Sequence, residues 1–119
     1  MNVDYNELFQ RDELTKKIDA RVLARVKRGM ELMKEKYGDD WVEHIDPREL
    51  NLAEGSRCVL GQVHSGIYKT EPDDDNNYSN ELAKLSNVDP QQHAFLTLIG
   101  EPWETLDNAW QAVFREMFR

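Results

Sequence analysis

Residues 101–119 read EPWETLDNAWQAVFREMFR and carry the clearest helical pattern in the chain. Large apolar side chains recur there at spacings of three, four, three, one and three, so that they share one helix face: Trp103, Leu106, Trp110, Val113, Phe114 and Met117. Glu101 and Pro102 open the segment, and proline suits a helix start because its missing N–H has no helical partner to lose. The segment predicts an amphipathic C-terminal helix whose aromatic face is a main part of the core.

A second amphipathic helix is predicted towards the other end of the chain. Its apolar face is spaced mainly by four and three: Ile18, Val22, Val26, Met30, Met33 and Tyr37. Asp12 and Thr15 are candidate N-caps, and Gly38 supplies a stop. These signals predict a long first helix that ends at about residue 37.

The residues after this first helix indicate a short helix. They read DDWVEHI over 39–45, and Asp40 and Glu43 stand at the two positions of a capping box. Trp41, Val42 and Ile45 are expected to face inward. Pro47 then breaks the chain.

A central, enclosed helix is predicted over residues 57–65 because this stretch is strongly apolar. Ser56 is its candidate N-cap and Gly66 its candidate stop. Gly61 in its interior costs about 1 kcal/mol relative to alanine. We therefore expect Gly61 to permit the close approach of another helix.

The remaining pattern completes a single helical domain. Residues 67–70 suggest a short strand or extended link, residues 71–78 an exposed acidic loop, and Ser79 the cap of a brief helix. A chain of 119 residues with 39% hydrophobic residues is long enough for a real core. We predict one domain over 1–119, all-α or nearly so, with four to six helices and at most a short strand pair.

Cysteine content and hydropathy indicate a cytoplasmic protein. Cys58 is the only cysteine, so no intramolecular disulfide can form. The first residues lack the basic start and apolar core of a secretion signal, and no window reaches the 18 or so apolar residues of a membrane span. Secretion and membrane insertion are not expected.

The net charge of −8 is unevenly distributed. Residues 16–36 hold eight Lys or Arg against three acids, so this segment is +5 and the rest is −13. Within it, four cations follow one another at spacings of four, four and three: Lys17, Arg21, Arg25 and Arg28. This ridge is either a solvated helix face or a docking strip for an acidic partner protein or a phosphate backbone.

Acidic residues elsewhere suggest another binding hypothesis, in which the surface imitates the phosphates of a nucleic acid and occupies a basic groove. The charge would come from two groups: Glu71, Asp73, Asp74 and Asp75, and Glu101, Glu104 and Asp107. Most acidic proteins are simply soluble, so we rank this mimicry hypothesis below the docking strip.

Catalytic and metal-binding motifs are not evident in the sequence. Cys58 is expected to be buried and inert, and the three histidines lack metal-ligand spacing. No glycine at the required spacing supports a calcium loop at 73–77. The chain carries no cofactor motif. An enzyme would have to bring polar side chains around the central helix into one pocket: Arg57, Gln62, His64 and His93.

Several short motifs in the chain form a recognisable series. The clearest is Arg57-Cys58-Val59-Leu60-Gly61-Gln62; the others are WVEHID at 41–46, LNL at 50–52, HAF at 93–95, Leu106, and Ala109-Trp110. Together they resemble a group of small proteins from actinobacteriophages and actinobacterial genomes. The resemblance implies an origin and brings no catalytic residues with it. It favours a phage or prophage accessory protein that binds a host protein.

The sequence therefore predicts a small cytoplasmic protein-binding module that modulates a host or defence protein, with the ridge from Lys17 to Arg28 as its contact and no cofactor or metal. Two alternatives stay open. One is a nucleic-acid-binding helical protein that uses the same ridge, and the other is a small enzyme with a pocket around His64 and His93.

Overall fold

The computed structural model describes residues 18–118, and every regular element in this part of the chain is a helix, without a strand. It contains four α-helices: α1 (Ala20–Tyr37), α2 (Val59–Tyr68), α3 (Asn76–Leu82) and α4 (Trp103–Met117). Two short 3₁₀ helices, Asp39–His44 and Pro47–Glu49, connect α1 to the segment before α2. The predicted compact helical domain is confirmed. No helix within residues 18–118 has the length and apolar character that crossing a bilayer requires.

The core is organised around α4, as its sequence pattern predicts. Leu106, Trp110, Val113 and Phe114 are all buried. A column of stacked rings crosses the interior from the half-buried His93 to the exposed Phe118. Its successive centroids are 6.3, 6.2, 5.5 and 6.0 Å apart: His93, Phe95, Trp110, Phe114 and Phe118. The Trp110 indole N–H donates to the Ala94 carbonyl at 2.8 Å, so this polar atom is satisfied inside the core.

The first residue of the predicted aromatic face departs from this pattern. Trp103 remains 36% exposed, whereas Met117 at the far end is half-buried. Trp103 is the first residue of α4, and Pro102 in front of it is its N-cap. The face is therefore buried along the body of α4 and open at its start.

Helix α1 begins later than predicted. Asp19 is its N-cap and accepts a hydrogen bond from the Arg21 backbone N–H at 2.7 Å. The earlier candidates, Asp12 and Thr15, lie outside the described residues. At the other end, Gly38 follows Tyr37 with a φ of 81°, as predicted for the stop.

The segment after α1 forms a 3₁₀ helix over Asp39–His44. Gly38 is its N-cap, and no side chain caps it. The predicted capping box is wrong, because Asp40 lies inside this helix rather than at its cap. Trp41 and Val42 are buried as expected.

Helix α2 starts two residues later and ends further along than predicted. Its N-cap is Cys58, not Ser56, and the Cys58 sulfur accepts a hydrogen bond from the Gly61 N–H at 3.3 Å. Gly66 lies inside the helix rather than at its end, and its lack of a side chain leaves room for the His44 ring. The helix stops at Lys69, whose φ is 57°. The predicted strand or link at 67–70 is wrong for its first two residues, which are helical.

The acidic loop is shorter than predicted. Residues 71–76 are exposed, but α3 begins at Asn76, and Asn77 is buried. The Asn77 side chain accepts from Thr70 Oγ1 at 2.8 Å and donates to the Glu71 carbonyl at 3.0 Å. These bonds fix the loop to the helix start, so Ser79 stands within α3 rather than at its cap.

Candidate partner-binding site

A tight turn over residues 98–101 precedes α4. The Glu101 N–H donates to the Leu98 carbonyl at 3.0 Å, which closes the turn. Gly100 stands at the third position with a φ of 81°, the conformation that a type II turn requires there. Ile99 occupies the second position, and its side chain is fully exposed at 102%.

A buried ion pair fixes this turn to α1. The Arg25 side chain is buried, and its Nη1 donates to Glu101 Oε2 at 2.7 Å. The other Glu101 oxygen accepts from the Leu98 N–H at 3.1 Å, across the same turn. One carboxylate therefore holds the turn closed and ties it to the helix.

The rest of the Arg25 guanidinium anchors the segment that leads into the turn. Nε donates to the Gln91 carbonyl at 2.8 Å and Nη2 to the Leu96 carbonyl at 2.9 Å. The Gln91 side chain in turn donates to the Thr97 carbonyl at 2.9 Å. The backbone on the N-terminal side of the turn is thus held at three successive points.

The electrostatics of Glu101 favour a charged pair. Burial alone would raise the pKa of this carboxyl, but the hydrogen bond from Arg25, the Leu98 N–H and the Arg25 charge together hold the pKa below its usual value of 4.5. Arginine is always protonated in proteins. Both partners are therefore ionised at neutral pH.

Three apolar side chains are exposed at or beside the turn: Leu98, Ile99 and Trp103. We call them the apolar tip. Sequence reasoning assigned Trp103 to the core and missed the other two. The signal was present in Gly100 and Pro102, since a glycine and a proline two residues apart mark a turn before a helix.

The predicted arginine ridge is not one exposed surface. Arg25 is buried, so its assignment as a partner-contacting residue is corrected: its guanidinium positions the turn instead. Arg21 is exposed and pairs with Asp19 at 3.3 Å. Arg28 is exposed and donates to the backbone and side-chain oxygens of Gln92 at 2.9 and 3.3 Å. Lys17 lies outside the described residues.

Of the four residues of the enzyme hypothesis, Arg57 and Gln62 lie together at the start of α2, where the Gln62 side chain donates to the Arg57 carbonyl at 2.9 Å, whereas the two histidines lie elsewhere. His64 is buried on α2, with its Nδ1 2.8 Å from Glu81 Oε1, and the Tyr37 hydroxyl donates to the other Glu81 oxygen. His93 instead contacts the Asp89 carbonyl at 2.8 Å and stacks on the aromatic column. Within residues 18–118 the two histidines share no hydrogen-bond partner.

Tyr37 is unsuited to proton transfer in this cluster. Burial, and then its hydrogen bond to the Glu81 carboxylate, raise the pKa of its hydroxyl far above the usual value of 10. It therefore acts as a fixed donor. The cluster links α1, α2 and α3 in the interior.

Cys58 is buried, as predicted. Burial raises the pKa of its thiol to about 11, so the nucleophilic thiolate is scarce at neutral pH. Within residues 18–118 no three His, Cys, Asp or Glu side chains are grouped so that they could hold a metal ion.

No family model, curated protein or solved structure matches this sequence. The apolar tip and the ion pair beneath it are therefore the features from which a function can be inferred.

Proposed function

We propose that this protein is a protein-binding module that inserts its apolar tip into an apolar pocket of a partner. The observation that carries the proposal is Ile99, a fully exposed isoleucine at the apex of a turn held by a buried ion pair. Single exposed apolar residues are common on protein surfaces. Ile99 differs from such residues because its turn is anchored to a helix through a buried arginine, so its position on the surface is fixed.

Rigidity is what makes Ile99 a good anchor. Association has to offset the ordering of loops and side chains, and a turn that is already fixed loses little further freedom. Burying one isoleucine side chain in a partner contributes about 1.5–3 kcal/mol. Tryptophan is enriched among residues that dominate binding energy, and Trp103 stands two residues after the turn.

Two exposed arginines on α1, of which Arg21 already pairs with Asp19, support a partner pocket bordered by carboxylates. Arg21 and Arg28 are exposed on α1 about one helical turn before and after Arg25, the residue that holds the turn. Exposed charges at the rim of an interface raise association rates more than they raise affinity. The predicted docking strip is retained here in a reduced form, as two flanking cations.

The resemblance to actinobacteriophage proteins supports a partner inside the bacterial host. On that basis we propose a cytoplasmic phage or prophage accessory protein whose tip engages a host or defence protein.

The test compares two isoleucines. Tagged wild-type protein, Ile99→Asp and Ile67→Asp are used to capture partners from an actinobacterial lysate, with and without nuclease. Ile67 is also exposed, but it stands near the end of α2 rather than on the turn. We expect one nuclease-resistant partner that Ile99→Asp loses and Ile67→Asp retains.

Retention of the partner by Ile99→Asp would overturn the proposal. Loss of all captured material on nuclease treatment would favour the nucleic-acid alternative. Circular dichroism of both variants checks that the fold is intact.

A further inference from the structure

A groove of about 540 Å³ lies between the second 3₁₀ helix and the C-terminal half of α4. Its described lining residues are Pro47, Arg48, Gln111, Phe114, Arg115 and Phe118. Phe118 follows Trp103 by 15 residues, which on a helix is a distance of about 22 Å. The groove is therefore at the opposite end of α4 from the apolar tip.

The groove has an apolar surface that is open to solvent. Phe118 is 41% exposed and forms the outer end of the aromatic column. Its ring lies 6.0 Å from that of the buried Phe114, and its backbone N–H donates to the Phe114 carbonyl at 3.0 Å. Pro47 is half-buried on the facing wall. A large apolar side chain that entered the groove would be withdrawn from water against Phe118 and Pro47.

The charge of the groove is opposite to that of the whole chain. The net charge of the chain is −8, yet the described lining residues include two arginines and no carboxylate. Arg48 is balanced by Asp46, 3.1 Å from its Nε. Arg115 is exposed and has no ion-pair partner among residues 18–118. An uncompensated guanidinium favours an occupant with a carboxylate, which it can bind through two parallel hydrogen bonds.

The two walls of the groove are already joined. The Gln111 side chain donates to the Pro47 carbonyl at 2.7 Å, which ties α4 to the second 3₁₀ helix. Asp46 caps that helix by accepting from the Arg48 backbone N–H at 3.0 Å. An occupant would therefore not have to order these walls, and this lowers the cost of binding.

We propose that this groove docks an acidic peptide segment of a partner protein, in which one large apolar side chain is flanked by carboxylates. The apolar side chain packs on Phe118 and Pro47, and a carboxylate pairs with Arg115. A nucleic acid gains affinity from several cations along its backbone, whereas Arg115 alone is uncompensated among the described lining residues. A second copy of this chain would bring a further charge of −8 and be repelled by the first.

The test uses three synthetic heptapeptides with blocked ends. The first is Glu-Asp-Glu-Phe-Glu-Asp-Glu, the second replaces its phenylalanine by serine, and the third replaces every acid by lysine. The full chain is titrated with each and followed through its backbone amide resonances by two-dimensional NMR. We expect the first peptide at millimolar concentration to shift resonances of residues 48, 111, 115 and 118, and the other two to leave them in place.

Three variants of the protein sharpen the test. Arg115→Gln should weaken binding of the first peptide about threefold, and Phe118→Ser about fivefold. Lys84→Gln removes the same charge from an exposed position outside the groove and should leave binding unchanged. Because Arg115 is exposed and has no ion-pair partner, Arg115→Gln should unfold at the same urea concentration as the wild type.

The proposal is overturned if the first peptide shifts none of these resonances, if the serine peptide shifts them equally, or if Arg115→Gln binds as the wild type does. A single-stranded oligonucleotide that shifts the same resonances at lower concentration would replace the peptide with a nucleic acid. A dimer in light scattering that Phe118→Ser dissociates would show instead that a second copy fills the groove. None of these variants changes the apolar tip, so the outcome is separate from that of the partner capture above.

Discussion

Two carboxylates in this protein are withdrawn from solvent in different ways. The Glu101 side chain is 12% exposed and pairs with Arg25, whose charge is permanent. The Glu81 side chain is 1% exposed and is held by His64 and Tyr37. The first carboxylate fixes a surface turn, whereas the second connects three helices in the interior.

Of the two carboxylates, the one nearer the surface, Glu101, is paired with the permanently charged arginine. Glu101 stays ionised because its hydrogen bonds from Arg25 and the Leu98 N–H outweigh the effect of its burial. Glu81 has hydrogen-bond donors from α1 and α2 instead. The more deeply buried group should therefore depend more strongly on its partners.

The largest effect is expected from His64→Leu. This change leaves the Glu81 carboxylate buried with one donor fewer, which should lower the free energy of unfolding by about 3–5 kcal/mol in urea denaturation. The double variant His64→Leu/Glu81→Leu removes the stranded carboxylate as well and should recover most of the loss. A loss below about 1 kcal/mol in the single variant would contradict this account of Glu81.

A smaller loss, of about 2–3 kcal/mol, is expected from Arg25→Met, because Glu101 can regain some water. Amide hydrogen exchange should become faster over residues 98–101, since the bond to Glu101 is removed together with the bonds to the Gln91 and Leu96 carbonyls that hold the preceding segment. Arg25→Lys keeps the charge without the planar set of donors, so its stability should lie between those of the wild type and Arg25→Met. Unchanged exchange in Arg25→Met would show that the turn does not depend on the ion pair.

The two carboxylates can also be separated by pH. The pKa of Glu101 is lowered in the folded state, so its ionisation stabilises the fold above the unfolded value of about 4.5, and this contribution is lost as pH falls through the folded pKa. Glu101→Gln should therefore be less stable than the wild type by about 2 kcal/mol at pH 7. The difference should shrink on acidification, and urea denaturation at a series of pH values measures it. A difference that stays constant down to pH 3 would contradict the charged pair.

The smallest expected effect concerns the turn itself. Gly100 and Gly38 both have a φ of 81° with open space where a side chain would be, so alanine at either position meets backbone strain alone. Each substitution should cost about 1 kcal/mol. Only Gly100→Ala should also reduce partner capture. Equal capture by the two variants would show that partner binding does not depend on the conformation of this turn.

Much of the fold follows from local pattern, whereas the candidate site depends on distant contacts. Helical spacing predicts the buried face of α4. The cost of Gly61 predicts a close approach, but the neighbour is wrong: a methyl group there would collide with the Gly55 carbonyl oxygen, which belongs to the turn before α2 and not to another helix. Helical spacing also places Arg25 beside exposed cations. It cannot reveal that Glu101, 76 residues later in the chain, draws this arginine into the interior.

The same limit explains the shifted helix ends. Ser56 is a better N-cap by residue type than Cys58, and Gly66 is a better stop than Lys69. Gly66 serves packing instead of ending the helix: the His44 ring lies against it and occupies the space that any larger residue there would need. Such a contact between segments is invisible to a local pattern.

The distribution of the three tryptophans has an optical consequence. Trp41 and Trp110 are buried, while Trp103 stands open beside the turn. A small collisional quencher such as acrylamide should therefore reach Trp103 well before the other two. A partner seated on the apolar tip would shield that one indole, so the intrinsic fluorescence of the unlabelled protein reports occupancy of this surface directly.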